Sequence, residues 1–256
     1  MPEVKTQQEK SAAVEPRVRL VRSTPQPAEA IAAAARLCYA TDTDGILDSP
    51  PGNPDAFVRK LMKMGHMSPV EHAVFTFYIE GVSRAMTHQL VRHRLASYSQ
   101  RSQRYVAHDS FSYVVPPSLR GQTVTTGEGE VDAVEYYRRT MAEIAERYAR
   151  LNDCLGREGE RSNEDARYVL PNACETKIFV TMNARELLHF FSERLCARAQ
   201  WEIRAVAEMM LELARDACPA VFAGAGPKCI KHGRCPEGRL SCGRYSEMVA
   251  RYGAKD

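Results

Sequence analysis

Between Gly81 and His108 this 256-residue chain carries no Asp, no Glu and no Lys. Elsewhere charge is plentiful and balanced, 35 basic against 32 acidic residues for a net charge of +3. That balance excludes a generic electrostatic binder of nucleic acid, whose basic surplus would colour a whole domain. Other absences also narrow the field. No apolar run approaches the roughly 20 residues of a membrane-spanning helix, so no membrane partner is expected. The first residues, MPEVKTQQEKSAAVEPR, hold no apolar stretch of the signal-peptide kind. Their Glu, Gln, Lys and Pro content predicts a disordered lead over 1–17, and the expected location is cytoplasmic. No internal repeat is present. The eight cysteines are scattered without a Cys-x-x-Cys pair. Cys38, Cys154, Cys174 and Cys196 lie in apolar or helical patterns, which predicts reduced core thiols rather than a disulfide framework.

Periodicity supplies the coarse architecture. Alternation and β-branched or aromatic content predict strands over 18–24, 73–80, 111–117 and 176–183. Helical spacing predicts helices over 27–40, 54–65, 82–95, 131–157, 163–171 and 184–217. Residues 49–54 read as a loop, 97–105 as loop or extended chain, and 119–132 as a mobile polar loop. Strands and helices mix without βαβ alternation, which predicts an α+β fold.

The acid-free gap is filled by arginine. LVRHRLASYSQRSQRYV (90–106) holds Arg92, Arg94, Arg101 and Arg104 with three serines. A guanidinium fork donates two parallel hydrogen bonds to a doubly charged oxygen ligand, and hydroxyls add neutral donors. The stretch therefore suits a phosphate pocket. It also suits a solvated basic face whose acids come from elsewhere in the fold, or single-stranded nucleic acid stacked on Tyr98 and Tyr105. On the expected helix 82–95, Gln89, Arg92 and His93 would share a face.

A second oddity lies in 184–217. Leu187, Phe190 and Phe191 make an apolar stripe whose helical continuation meets Arg194 and then Arg198. A guanidinium on a core-facing stripe must be paired or must enter a cavity. Glu202, four residues on, is the expected partner of Arg198, whereas Glu193 cannot face Arg194 on a helix. Arg194 is thus the better ligand candidate. His189 lies one turn from Arg185. Arg167 has Glu164 and Asp165 nearby and could be an ordinary surface pair.

Together these residues resemble one family, the flavin-dependent thymidylate synthases. RHRLASYSQRS (92–102) is similar to the family signature of Arg-His-Arg, seven residues, then Ser. HMSPVEHAVFTF (66–77), THQLVRHR (87–94), ARYVLP (166–171), MNARELLHFF (182–191) and RAQWE (198–202) resemble further family blocks in the family's order. The resemblance spans residues 18–222, with 223–256 left as a Cys-containing tail. It implies the family's α+β fold, assembled as a homotetramer with active sites at subunit interfaces. The implied reaction is reductive methylation of dUMP to dTMP. It uses FAD, with NADPH and 5,10-methylenetetrahydrofolate as co-substrates, and no enzymic nucleophile. By the same resemblance Ser68, Arg92, His93, Arg94, Gln100, Asn183, Arg185 and His189 would contact the flavin. Gln89, Arg92, Gln100, Arg101, Ser102, Gln103, Arg104 and Arg167 would contact the nucleotide, and Arg194 would stabilise charge on the uracil. Gln100 and His189 stand where many relatives have Glu and Asn. The alternative is a nucleotide or single-stranded nucleic-acid binding module that uses the 84–104 cluster without catalysis.

The tail places Cys229, His232, Cys235 and Cys242 within fourteen residues. Four such ligands suit zinc, but the spacing departs from common zinc motifs. Free thiols without metal are the expectation here.

Overall fold

The computed structural model describes residues 12–47, 51–127 and 129–253. Most of the expected lead 1–17, and part of the loop 49–54, lie outside them. In chain order the elements are β1 (Arg17–Ser23), α1 (Pro27–Leu37), α2 (Pro54–Lys63), β2 (Val74–Ser83), α3 (Arg84–Leu90), β3 (Ala96–Gln100), β4 (Thr123–Thr126), β5 (Gly129–Asp132), α4 (Ala133–Cys154), α5 (Glu160–Ala166), β6 (Glu175–Asn183), α6 (Ala184–Arg194), α7 (Trp201–Ala217), α8 (Pro219–Phe222), α9 (Lys228–His232) and α10 (Tyr245–Tyr252). One sheet has the order β1-β2-β6-β3 and a second pairs β4 with β5, so the class is α+β.

Two compact units emerge. Among the described residues, one takes in those within 1–16, 80–88 and 100–178, the other those within 17–79, 89–99 and 179–256. The core of the second unit is aromatic. Phe75, Phe77, Phe190, Phe191 and Phe222 are fully buried. Phe222 meets Phe75 and Phe191 edge-on at 5.4 and 6.0 Å between centroids. α7 packs on β1, and α2 on both α1 and α8. The core of the first unit gathers Phe111, Tyr113, Met141, Ala145 and Cys174. Tyr148 is also buried there, with its hydroxyl 3.2 Å from Asn163 Oδ1.

Several expectations are corrected. The lead is not irregular to its end: Tyr113 N–H donates to the Ala12 carbonyl, Val14 N–H donates to the Tyr113 carbonyl (both 3.0 Å), and Arg17 opens β1. The helix expected over 82–95 is only Arg84–Leu90. Ser83 Oγ accepts from Met86 N–H at 3.0 Å and caps its start, while β2 runs on to Ser83. Residues 111–117 form no strand; Tyr113 makes isolated bridges to Ala13 and Cys174. Residues 119–132 are not a bare loop. β4 and β5 pair antiparallel there, Thr123 opposite Asp132 and Val124 opposite Val131. The helix expected over 184–217 is two, broken between Arg194 and Trp201. No Pro or Gly marks the break. Gln200 makes it, its side-chain oxygen accepting from Glu202 and Ile203 N–H at 3.0 and 3.1 Å. Arg204 donates to the Ala197 carbonyl at 3.0 Å, so a carbonyl left open by the break is satisfied. No helix among the described residues is long and apolar enough to cross a membrane.

Candidate active site

The break leaves Arg194 at the C-terminus of α6, and the candidate site is built on that helix. Asn183 ends β6 and caps α6, its Oδ1 accepting from Glu186 N–H at 2.8 Å. Leu187, Phe190 and Phe191 anchor the helix in the core. Arg185 and His189, one turn apart, then line a cavity of about 1110 Å³ with Arg92, His93, Arg94 and Arg194. Asn183, Glu71, Glu186 and Glu193 also border it.

The centre of the cavity is a hydrogen-bonded chain. Arg194 Nε donates to His93 Nε2 at 3.1 Å, and an Arg194 Nη faces the Gln89 carbonyl at 3.4 Å. His93 Nδ1 lies 3.3 Å from the Glu186 carboxylate, both side chains being buried. Because Nε2 accepts from a guanidinium, the imidazole proton belongs on Nδ1, directed at Glu186. Burial, then Arg194 and His189, against a smaller opposing effect of Glu193, together lower the His93 pKa to about 4. Burial raises the pKa of Glu186, partly offset by His189. His93 is therefore a neutral acceptor at pH 7 that holds Arg194 without a charge of its own.

The loop carrying His93 is fixed from below. Its N–H closes a tight turn on the Leu90 carbonyl at 3.1 Å. The Tyr98 hydroxyl lies 2.9 Å from the Leu90 carbonyl and 2.8 Å from that of His93. Burial, then Glu186, raises the Tyr98 pKa, so the phenol stays protonated as a donor. Half-buried and bonded in this way, Tyr98 is no stacking platform. Arg92 and His93 lie beyond the end of α3, so no helical face joins them to Gln89; Arg194 bridges His93 and Gln89 instead.

The remaining predicted residues divide between the units. In the second unit Ser68 is exposed at the turn that leads to Glu71. Glu71 holds Arg185 at 2.5 Å. In the first unit the Gln100 amide donates to the Thr87 and Thr176 hydroxyls at 3.0 and 3.2 Å. A carboxylate there would need both hydroxyls as donors, whereas the amide accommodates them as acceptors. Arg101 N–H donates to the Lys177 carbonyl at 2.9 Å. The Ser102 hydroxyl accepts from the N–H groups of Arg104 and Tyr105 at 3.1 and 3.3 Å. Gln103 approaches the Cys174 sulfur at 3.7 Å. Arg104 is paired twice, with Glu160 at 2.5 Å and Glu164 at 2.9 Å, so the acid-free stretch borrows acids from α5. Arg167 donates to the Glu164 carbonyl at 3.1 Å. Arg198 reaches the Leu240 carbonyl at 2.8 Å and Glu237 at 3.8 Å, the helix break having removed the expected i,i+4 geometry with Glu202.

Glu71, Glu160 and Glu186 escaped the sequence reading. For Glu186 the available signal was Asn183 three residues ahead of an acid at a helix start, the spacing of a capped first turn.

The architecture and the cavity define an α+β protein with a guanidinium-lined site suited to an anionic ligand. The family described as "Thymidylate synthase complementing protein" matches residues 19–220, and the chain belongs to it. It is 48% identical to the flavin-dependent thymidylate synthase of Nitratidesulfovibrio vulgaris over 244 residues, covering 90% of this chain and 96% of that one. With the enzyme of the same name from Geobacter sulfurreducens it shares 49% identity over 236 residues, 91% and 96% of the two chains. Among solved structures, the UMP/dUMP methylase PolB from Streptomyces cacaoi, bound with 5-Br dUMP, superposes with a TM-score of 0.67. The two are 28% identical, with coverage of 83% of this chain and 95% of that one.

Proposed function

We propose that this chain is a flavin-dependent thymidylate synthase that converts dUMP to dTMP. One observation carries the reading: Arg194, the residue the resemblance assigns to the uracil, stands in the same cavity as Arg92, His93, Arg94, Asn183, Arg185 and His189, which it assigns to the flavin. The cavity's volume and donor set fit FAD, whose pyrophosphate calls for guanidinium forks such as the exposed Arg92 and Arg94. The flavin, when bound, supplies the hydride chemistry.

The chain's own residues bind and orient. Arg194 presents a fixed cation toward the substrate ring, prealigned by neutral His93 and by the Gln89 carbonyl, so little reorganisation is needed when negative charge develops. Neutral His93 costs Arg194 none of its net positive charge. Gln100, Arg101, Ser102, Gln103, Arg104 and Arg167 are proposed nucleotide contacts, with Arg104 exchanging Glu160 and Glu164 for phosphate. These six fall in the first compact unit and the cavity residues in the second. A homotetramer with sites at subunit interfaces accommodates that division, since one chain's loop need not serve its own cavity.

The finer reading follows the resemblance: NADPH as reductant, 5,10-methylenetetrahydrofolate as carbon donor, and a cytoplasmic domain over 18–222. Purified protein should be yellow, and dUMP should perturb its flavin spectrum. A colourless protein that binds oligonucleotide rather than dUMP would favour the binding-module alternative.

A further inference from the structure

A second cavity, of about 270 Å³, lies under the C-terminal tail, and four cysteines line it: Cys196, Cys229, Cys235 and Cys242. Three come from the tail. Cys196 comes from the break between α6 and α7, thirty-three residues before Cys229, and is not the buried core thiol that the sequence predicts. His232, the nitrogen ligand suggested by spacing, is exposed and is not part of the lining. All four thiols are free.

We propose that Cys196, Cys229, Cys235 and Cys242 bind one zinc ion in a structural, tetrahedral all-thiolate site. Four soft ligands with no open position match the closed structural class of zinc sites. Each Zn–S bond replaces an S–H bond, so four protons leave to solvent as the ion binds. As the side chains stand, no three His, Cys, Asp or Glu groups among the described residues are gathered tightly enough to hold an ion. Binding therefore draws the sulfurs inward from the cavity wall to about 2.3 Å from the metal. Each sulfur turns on one side-chain torsion. Cys229 sits in the five-residue α9, and Cys235 and Cys242 lie in chain that is neither helix nor strand.

The site also has a consequence for the catalytic cavity. Cys196 is two residues beyond Arg194, so the ion would pin the bend from which the guanidinium emerges.

Metal analysis of the full-length protein, expressed with zinc supplied, should find one zinc per chain. Exchange with Co(II) should give the intense thiolate-to-cobalt absorption of a tetrahedral sulfur site. Cys196→Ser and Cys235→Ser should each weaken Co(II) affinity at least tenfold, whereas His232→Ala should leave it unchanged. A protein that binds neither Zn(II) nor Co(II) would overturn the proposal, as would a disulfide among the four. Loss of binding in His232→Ala with retention in Cys196→Ser would overturn the ligand assignment. These readouts are independent of turnover, so they do not depend on the proposed reaction.

Discussion

Arg194 donates its Nε hydrogen to His93 Nε2 across 3.1 Å, joining two residues 101 positions apart in the chain. The bond fixes the guanidinium and selects the imidazole tautomer at once, because the acceptor nitrogen cannot also carry the proton. Arg194→Ala should therefore remove turnover while leaving flavin bound. A loss of about 10²–10³ in kcat is the scale for one prealigned electrostatic donor. Product formation and flavin absorbance, measured on the same preparation, separate the two effects; wild-type kcat would remove Arg194 from the chemistry.

His93 gives the fold a pH signature. Its folded pKa, about 4, lies below the ordinary 6.5, so between those values the unfolded chain binds the extra proton. Its contribution to stability is complete above about pH 6.5 and is lost as pH falls toward 4, by up to ~3 kcal/mol at ~1.4 kcal/mol per unit. Glu186, with a raised pKa, acts in the opposite sense. Comparing wild type with His93→Gln by chemical denaturation isolates the histidine, since Glu186, His189, Glu193 and Arg194 remain in both. The wild-type advantage should shrink across that window; a constant difference would mean that His93 is charged in the fold.

Arg104 is held by two acids rather than left unpaired. If phosphate displaces them, Arg104→Ala should weaken dUMP by ~1.5–3 kcal/mol. Glu160→Gln with Glu164→Gln should tighten dUMP, because the competing charge is removed. Calorimetric titration of the three proteins decides the matter. Unchanged affinity in all of them would place the phosphate elsewhere.

Much of this was legible in the chain, and the exceptions share a cause. The arginines, His93 and Asn183 stand in contiguous motifs, so their types and spacings could be read directly. The partners that organise them could not. Glu186 looks like any helix acid until His93 is folded against it, and Glu160 lies 56 residues from Arg104. The break after Arg194 was hidden because apolar spacing runs through it and the signal is a glutamine cap rather than Pro or Gly. Helix 82–95 was overextended for a similar reason: apolar residues continue at helical spacing past Leu90, but the carbonyls there turn to Tyr98. Cys196 looked like a core thiol on a continuous helix, and only the break turns it toward the tail.

Gly81 tests the backbone. It sits at φ +67°, and a Cβ there would lie 2.1 Å from the Glu15 carbonyl oxygen. Its N–H also donates to buried Glu175 at 3.1 Å. Gly81→Ala should destabilise the protein by at least ~1–3 kcal/mol, the scale of a strained backbone position. The shift in denaturation midpoint reads this directly; no shift would mean that residues 12–16 do not pack on β2 as described.

The most direct test of the whole account is dTMP formation by the purified protein given dUMP, 5,10-methylenetetrahydrofolate, NADPH and FAD, with each withheld in turn. The account predicts product only when all four are present, FAD counted whether added or already bound, and a kcat lower by about 10²–10³ in Arg194→Ala. Product formed without flavin, or no product from a flavin-loaded wild-type protein, would contradict it.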